Sequence, residues 1–412
     1  MIALLTCGIF LVVGMAVALY LRPSPNVIEF LSRAFLIGVG ALGTFLFVLG
    51  VIGISMTRWL AWSVVAIALP LIWKRRDAIP RASGANAGLL LIVIPFAIAL
   101  YGIWGLPFAD YDGRVTWLPK ATAIVHEQSI AGPAFHGERG LNLHNHYPLL
   151  LPLDVAAMML IAGADNTDVA RPLYLFIPFG FLVYAWQHGR RLIAAAAWLP
   201  QWIAAAEGGV SSGYSDLAAA SFFGAALLAA DEDDAGSTGM WLGFLILTKN
   251  EGIVLATAVI GALIVFRRIK WPVLIAPAVA VVTLTIWRAS IPEAYEHRYH
   301  VLMRDLLNQL PRLDDAIRAF ARHAFSIAEW GFVWPAIILA CIWSFVRGRD
   351  RVTILALFAA ACVYVLIYTT TSWNIDELAR TSANRLLTHL VVPGLFVLGS
   401  AIRSDDEAAH HS

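Results

Sequence analysis

Long, nearly charge-free runs of apolar residues, broken by short polar stretches, set the pattern of this chain. They occupy 2–21, 35–54, 59–73, 89–106, 149–162, 172–186, 192–206, 217–230, 239–247, 253–266, 271–287, 325–346, 352–371 and 386–402. The apolar residues are continuous and do not alternate, which selects helices rather than the strands of a membrane barrel. A bilayer core takes about 20 apolar residues per helix, and only helices or closed barrels satisfy the backbone there. The pattern predicts an all-α, polytopic transmembrane helix bundle of about 12–14 hydrophobic segments, with loops and short juxtamembrane helices gathered on one face.

Composition sharpens this picture. Of 412 residues, 59% are apolar and 14% charged, against about 25% charged in a soluble domain. So little charge cannot cover a water-facing surface, and a soluble globular domain is excluded. The net charge of +1 singles out no partner; membrane lipids are expected around the chain, and nucleic acid is not expected. Cys7, Cys341 and Cys362 lie inside apolar runs, without metal-site or disulfide spacing. Run 2–21 lacks a basic start and a clear cleavage site, and reads as a helix rather than a signal peptide. The tail 404–412 is short and polar.

Lys and Arg in short loops mark the cytoplasmic side. The clusters are Lys74-Arg75-Arg76, Arg190-Arg191, Arg267-Arg268 with Lys270, and Arg347, Arg349 and Arg351, with Arg403 after the last run. This places 107–147, 208–216, 288–323 and 372–385 on the outer face. One count fails: if every run crosses once, Arg190-Arg191 falls outside. Either 149–162 or 172–186 stops short of a full crossing, and the shorter run 149–162 is the expected one.

Long polar loops on one face are where chemistry concentrates. The first holds Asp110-Tyr111-Asp112-Gly113-Arg114, then Trp117 and Lys120, and closes on His144-Asn145-His146-Tyr147-Pro148. An ionised carboxylate there takes a proton from a hydroxyl, or a pair holds a divalent cation against phosphate; the plain alternative is solvated loop charge. His144 and His146 fit metal ligands or an ordinary polar loop end. Gly213-Tyr214-Ser215-Asp216 opens a helix, for which an N-cap is the simpler reading. Lys249-Asn250-Glu251-Gly252 interrupts an apolar stretch, as a hairpin tip or as a charge pair with a bound group. Arg380 and Arg385 suit bidentate phosphate contacts or headgroup snorkelling. Segment 288–323, with His297, Arg298, His300 and Arg304, reads as an amphipathic helix on the membrane surface.

Taken in order, Asp110-Tyr111-Asp112-Gly113, Trp117, Lys120-Ala121, His146-Tyr147-Pro148-Leu149-Leu150, Gly213-Tyr214-Ser215-Asp216, Thr248-Lys249-Asn250-Glu251-Gly252 and Trp373 with Asn384-Arg385-Leu386-Leu387 resemble the polytopic GT-C glycosyltransferases. The likeness is to the family 39-like branch of protein mannosyltransferases and aminoarabinose lipid A transferases. It spans roughly 89–402. The chain then divides into N-terminal transmembrane helices outside the likeness (1–82), a GT-C-like transmembrane catalytic module (83–403) and the polar tail.

The resemblance implies an inverting glycosyltransferase, hexosyl or pentosyl, of the bacterial inner (plasma) membrane. It would move a sugar from a polyprenyl-phosphate donor to a lipid or glycan acceptor on the outer face. Asp112 is then the base and Asp110 the second choice. Lys120, His146, Tyr147, Asp216, Lys249, Glu251, Arg298 and Arg385 are the expected substrate-binding residues. No cofactor is required, and a divalent metal stays open. The chain lacks the large soluble outer domain of some members, which favours a lipid or glycan acceptor over a folded protein. A transporter or flippase for a lipid-linked sugar, and a non-catalytic envelope partner, are the competing readings.

Overall fold

The computed structural model describes residues 2–81, 87–103, 108, 110–136, 144–202, 209–292 and 306–402. Among them the chain is helical, with no β-strand. The helices are α1 (Ile2–Ala18), α2 (Val27–Val51), α3 (Arg58–Lys74), α4 (Leu90–Ile103), α5 (Leu118–Glu127), α6 (Leu150–Ala162), α7 (Arg171–Gln187) and α8 (Asp216–Asp231). They continue with α9 (Ala235–Thr248), α10 (Glu251–Val265), α11 (Pro272–Ala289), α12 (Leu306–Gln309), α13 (Leu313–Ala324), α14 (Ile327–Trp330), α15 (Val333–Val346), α16 (Arg351–Thr370) and α17 (Ile375–Ile402). Five of the described helical stretches, Val27–Val51, Thr167–Gln187, Pro272–Ala289, Arg351–Thr370 and Ile375–Ile402, are long and apolar enough to cross a membrane. The protein is a helical membrane bundle.

Side-chain bonds sort the helix ends into two groups. At one end Arg190 reaches Asp231, Asp350 and Ser400, Arg22 pairs with Glu232, Lys270 pairs with Asp233, and Arg75 stacks on Tyr20. All four basic clusters therefore share this basic end. The opposite, site end gathers the starts of α8, α10 and α17 and the ends of α9, α11 and α16. Exposed Trp73 and Trp271 ring the basic end; Trp59, Tyr101 and Phe332 ring the site end, as interfacial aromatics do.

The failed count resolves at α6. Its first turn lies against Gly43, where a Cβ would sit 3.0 Å from the Leu150 carbonyl, about 12 Å below the site end of α2. Its far end offers the Ile161 carbonyl to Arg58 Nη2 (3.2 Å) at the start of α3. Thus α6 climbs from within the bundle to the site end, and α7 makes the crossing that brings Arg190 to the basic end. The return is not α-helical: Arg191–Trp198 is a 3-10 segment, and Gln201 Nε2 beyond it donates to the Glu329 carbonyl (2.9 Å). Run 192–206, expected as an ordinary helix, is corrected to this crossing; its residues 203–206 lie outside the described residues.

Packing follows membrane rules. Helices α1 and α2 touch at glycines: a Cβ on Gly14 would meet the Ala34 carbonyl at 1.6 Å, and one on Gly38 the Phe10 carbonyl at 1.7 Å, the close approach small residues permit. Both helices join the same core as α6, α7 and α11, so the N-terminal helices pack directly on the rest of the bundle. Helix α13 is strongly amphipathic. It buries Ala316, Ala319 and Phe320 and keeps Asp314, Asp315, Arg318 and Arg322 outward, as expected for a surface helix. The remainder of that expectation, with His297, Arg298, His300 and Arg304, lies outside the described residues, as do Arg403 and the tail.

Candidate functional site

Four separated motifs meet at the site end, and backbone geometry holds them there. Residues 111–117 form a helical turn with a π-type step that runs into α5. Gly113 presses on the loop before α8, where a Cβ would lie 2.0 Å from the Ser212 carbonyl. Gly213 in that loop takes φ +76°, a conformation that favours glycine. Between α9 and α10, Gly252 approaches the Leu245 carbonyl so closely that a Cβ would stand 2.0 Å away. These glycines let three turns carrying Asp112, Asp216 and Lys249 close on one another.

Asp216 is the hub and is fully buried. Its Oδ1 accepts from Lys249 Nζ (2.7 Å) and lies 3.1 Å from His389 Nε2; its Oδ2 accepts from Arg385 Nε (3.2 Å). Arg385 Nη1 donates to Asp112 Oδ2 (2.7 Å), so one guanidinium bridges the two carboxylates. Its plane lies 4.2 Å over the Tyr214 ring, and Tyr214 Oη accepts from the Asp112 backbone N–H (3.4 Å). Lys249 also pairs with Glu251 Oε1 (3.1 Å). His389 Nδ1 meets Tyr364 Oη at 2.9 Å. Charges this deep persist only when paired and hydrogen-bonded. Asp112, with its side chain 30% exposed, is the carboxylate of the pair that solvent can reach.

A second lattice braces the first. Arg288, at the end of α11, donates to the His146 carbonyl (3.0 Å) and to Asn250 Oδ1 (2.5 Å). His146 Nε2 lies 2.6 Å from the Pro292 carbonyl. Lys120 is buried: its Nζ donates to the His144 carbonyl and sits 5.5 Å from the Trp117 and Tyr147 rings. Loop 144–148 is thereby tied to the turn that presents Lys249.

The structure thus brings together Asp112, Asp216, Lys249, Glu251 and Arg385. It puts His146, Tyr147 and Lys120 in the bracing lattice, and Asp110 at the start of the helical turn, its carbonyl accepting from Arg114 N–H (3.2 Å). Arg298 lies outside the described residues. The N-cap reading of the α8 start fails for Asp216: Ser215 holds the cap position without a side-chain bond, and Asp216 points into the ion cluster. Arg385, one residue before the last apolar run 386–402, lies inside a helix and not at its start, because α17 begins at Ile375 behind an Asn374 cap on the Glu377 N–H (3.1 Å). Sequence reading missed His389 and Tyr364. One turn past Arg385, at i+4, His389 must share its helix face, and that spacing was the available signal. Among the described residues no group of three His, Cys, Asp or Glu side chains is arranged to hold a metal ion.

Beside the cluster, an open cleft of about 540 Å³ runs along α5, between Arg114, Leu118, Thr122 and His126 on one wall and Thr167 and Asp168 on the other. It begins two residues past Asp112. No family model, curated protein or solved structure matches the chain.

Proposed function

We propose that the chain is a membrane glycosyltransferase that moves a sugar from a polyprenyl-phosphate donor to a lipid or glycan acceptor, on the membrane face opposite its basic loops. One observation carries this reading: a reachable carboxylate, Asp112, shares a guanidinium with a fully buried carboxylate, Asp216, beside a second buried cation, Lys249. A lipid-phosphate leaving group needs cationic donors at the membrane boundary, and a hydroxyl nucleophile needs a base within reach.

In this scheme the donor phosphate takes Arg385 Nη1 in place of Asp112. Asp216 keeps Nε and holds the guanidinium plane. Asp112, released, accepts the proton of the acceptor hydroxyl. The acceptor oxygen forms its bond to the anomeric carbon as the bond from that carbon to the phosphate oxygen breaks. The electron pair leaves on the phosphate, whose charge Arg385 and Lys249 offset. One displacement inverts the anomeric configuration. Mixed hexose or pentose lipid donors, incubated with full-length protein and membrane glycolipid, supply the assay. Asp112→Asn is expected to cut transfer at least about 100-fold with unchanged expression and melting. Transfer at the wild-type rate removes Asp112 as base.

A flippase for a lipid-linked sugar is the second reading. Two features favour it: the non-α crossing at Arg191–Trp198, and helix α6 with its fully buried Asp154. Interrupted helices and intramembrane carboxyls are marks of transporters. Movement of a labelled lipid-linked sugar across proteoliposomes, with no glycosylated product, would establish it.

A further inference from the structure

We propose that the cleft along α5 binds the anionic headgroup of a membrane lipid, with Arg114 as its anion contact. The four residues of its long wall recur at every fourth position from Arg114 to His126 and so share a helix face. Arg114 and His126 are exposed side chains that make no hydrogen bond or ion pair with the described residues. The acidic groups nearby are already engaged: Asp168 pairs with Arg171 (2.5 Å), and Glu127 accepts from the Ala134 N–H (3.1 Å). The Arg114 guanidinium therefore faces the cleft un-neutralised, and its fork suits a phosphate or carboxylate.

Most of the rest of the lining is apolar, including Phe108 and Leu118, with Thr122 and Thr167 adding hydroxyls. Phe108 follows closely on α4, a helix that presents Leu90, Val93, Ile94, Ile98 and Tyr101 outward to the lipid side. A cationic rim over an apolar floor, at the end of a lipid-facing helix, matches an amphiphile better than a free ion. The volume falls within the range of small-molecule sites, about 300–1,000 Å³. Gly113 is pinned against Ser212, which fixes the backbone that carries Arg114; two residues from Asp112 on the same helical turn, Arg114 points away from the ion cluster and into the cleft. Binding of this headgroup does not rest on the transferase reading.

Calorimetric titration of the full-length protein in micelles tests this, with dioctanoyl phosphatidylglycerol, dioctanoyl phosphatidylcholine and inorganic phosphate as probes. The anionic lipid is expected to bind at least about tenfold more tightly than the zwitterionic one, and Arg114→Gln to weaken it about tenfold, as loss of one charge-assisted contact does. Arg318→Gln, on the outer face of α13, serves as the control and leaves binding unchanged. Equal affinity for both lipids, no effect of Arg114→Gln, or phosphate binding as tightly as the anionic lipid each overturns the proposal. Asp112→Asn separates the two claims: headgroup binding persists in it whether or not transfer is lost.

Discussion

Asp216→Asn perturbs the hub of the cluster while keeping its shape. The carboxylate accepts from Lys249 on one oxygen and Arg385 on the other, and both cations are largely buried, with side chains 2% and 12% exposed. An amide has one acceptor oxygen, so its NH₂ must face either the ammonium or the guanidinium, donor against donor. The change also removes the buried counter-charge that the two cations share, leaving Lys249 with Glu251 and Arg385 with Asp112, a loss at the low end of the about 3–5 kcal/mol of a broken buried pair. Solvent screening does little to reduce this at such burial. Reversible unfolding in mixed micelles, followed by tryptophan fluorescence, measures the loss directly. The double variant Asp216→Asn with Lys249→Met removes the cation that now faces the amide, and should recover about 1 kcal/mol relative to additivity, because Glu251 loses its partner at the same time. Stability within about 0.5 kcal/mol of the native protein for Asp216→Asn, or strict additivity in the double variant, would refute the reasoning.

The same substitution one layer away should behave differently. Asp154 is fully buried in α6, and among the described residues neither carboxyl oxygen has a hydrogen-bond partner. Asp154→Asn is therefore expected to change unfolding free energy by less than about 1 kcal/mol or to raise it; a loss of 3 kcal/mol in the same micelle assay contradicts the view of Asp154 as unpaired. At the basic end, burial works against the His188 cation, but the Glu232 and Glu29 carboxylates outweigh it and push His188 up to about 9. The folded state thus holds a proton that the unfolded chain releases near pH 6.5. This stabilisation, on the order of 3 kcal/mol, is complete below about pH 6.5 and disappears as pH rises through 9. Melting temperature should fall between pH 7 and pH 10, and His188→Gln should flatten that fall; an equal slope in the variant counts against the linkage.

Much of this architecture was legible in the chain because bilayer physics writes it into continuous apolar runs. The basic clusters did fall at one end, and the misfit at Arg190-Arg191 pointed to the short run that became α6. Hydropathy could not show that 191–198 winds as a 3-10 helix, since that segment is as apolar as its neighbours. It also placed the start of the last helix about three turns too late. Residues 375–385 are polar because most of their side chains are partly or fully exposed at the site end, with Asp376 paired to Arg322 and Arg385 turned into the cluster, while Asn374 caps them into the helix all the same. Lys249 and Glu251 could be singled out because charges inside an apolar stretch are costly, Asp112 as a carboxylate in a long polar loop and Arg385 as a guanidinium beside an apolar run, while Asp216 stood out only through the family resemblance. His389 was hidden inside a run, and Lys120 was an expected substrate-binding residue although Trp117, Tyr147 and the His144 carbonyl enclose it. Which motifs touch depends on Gly113, Gly213 and Gly252, and local sequence does not encode such three-dimensional closeness.

The most direct test of the transferase claim is an experimental density map of the protein with a polyprenyl phosphate bound. Phosphate oxygens are expected within hydrogen-bond reach of Arg385 Nη1, with the Asp112–Arg385 contact opened and the Asp216–Arg385 contact intact. A phosphate bound elsewhere, with the guanidinium still shared by both carboxylates, would contradict it.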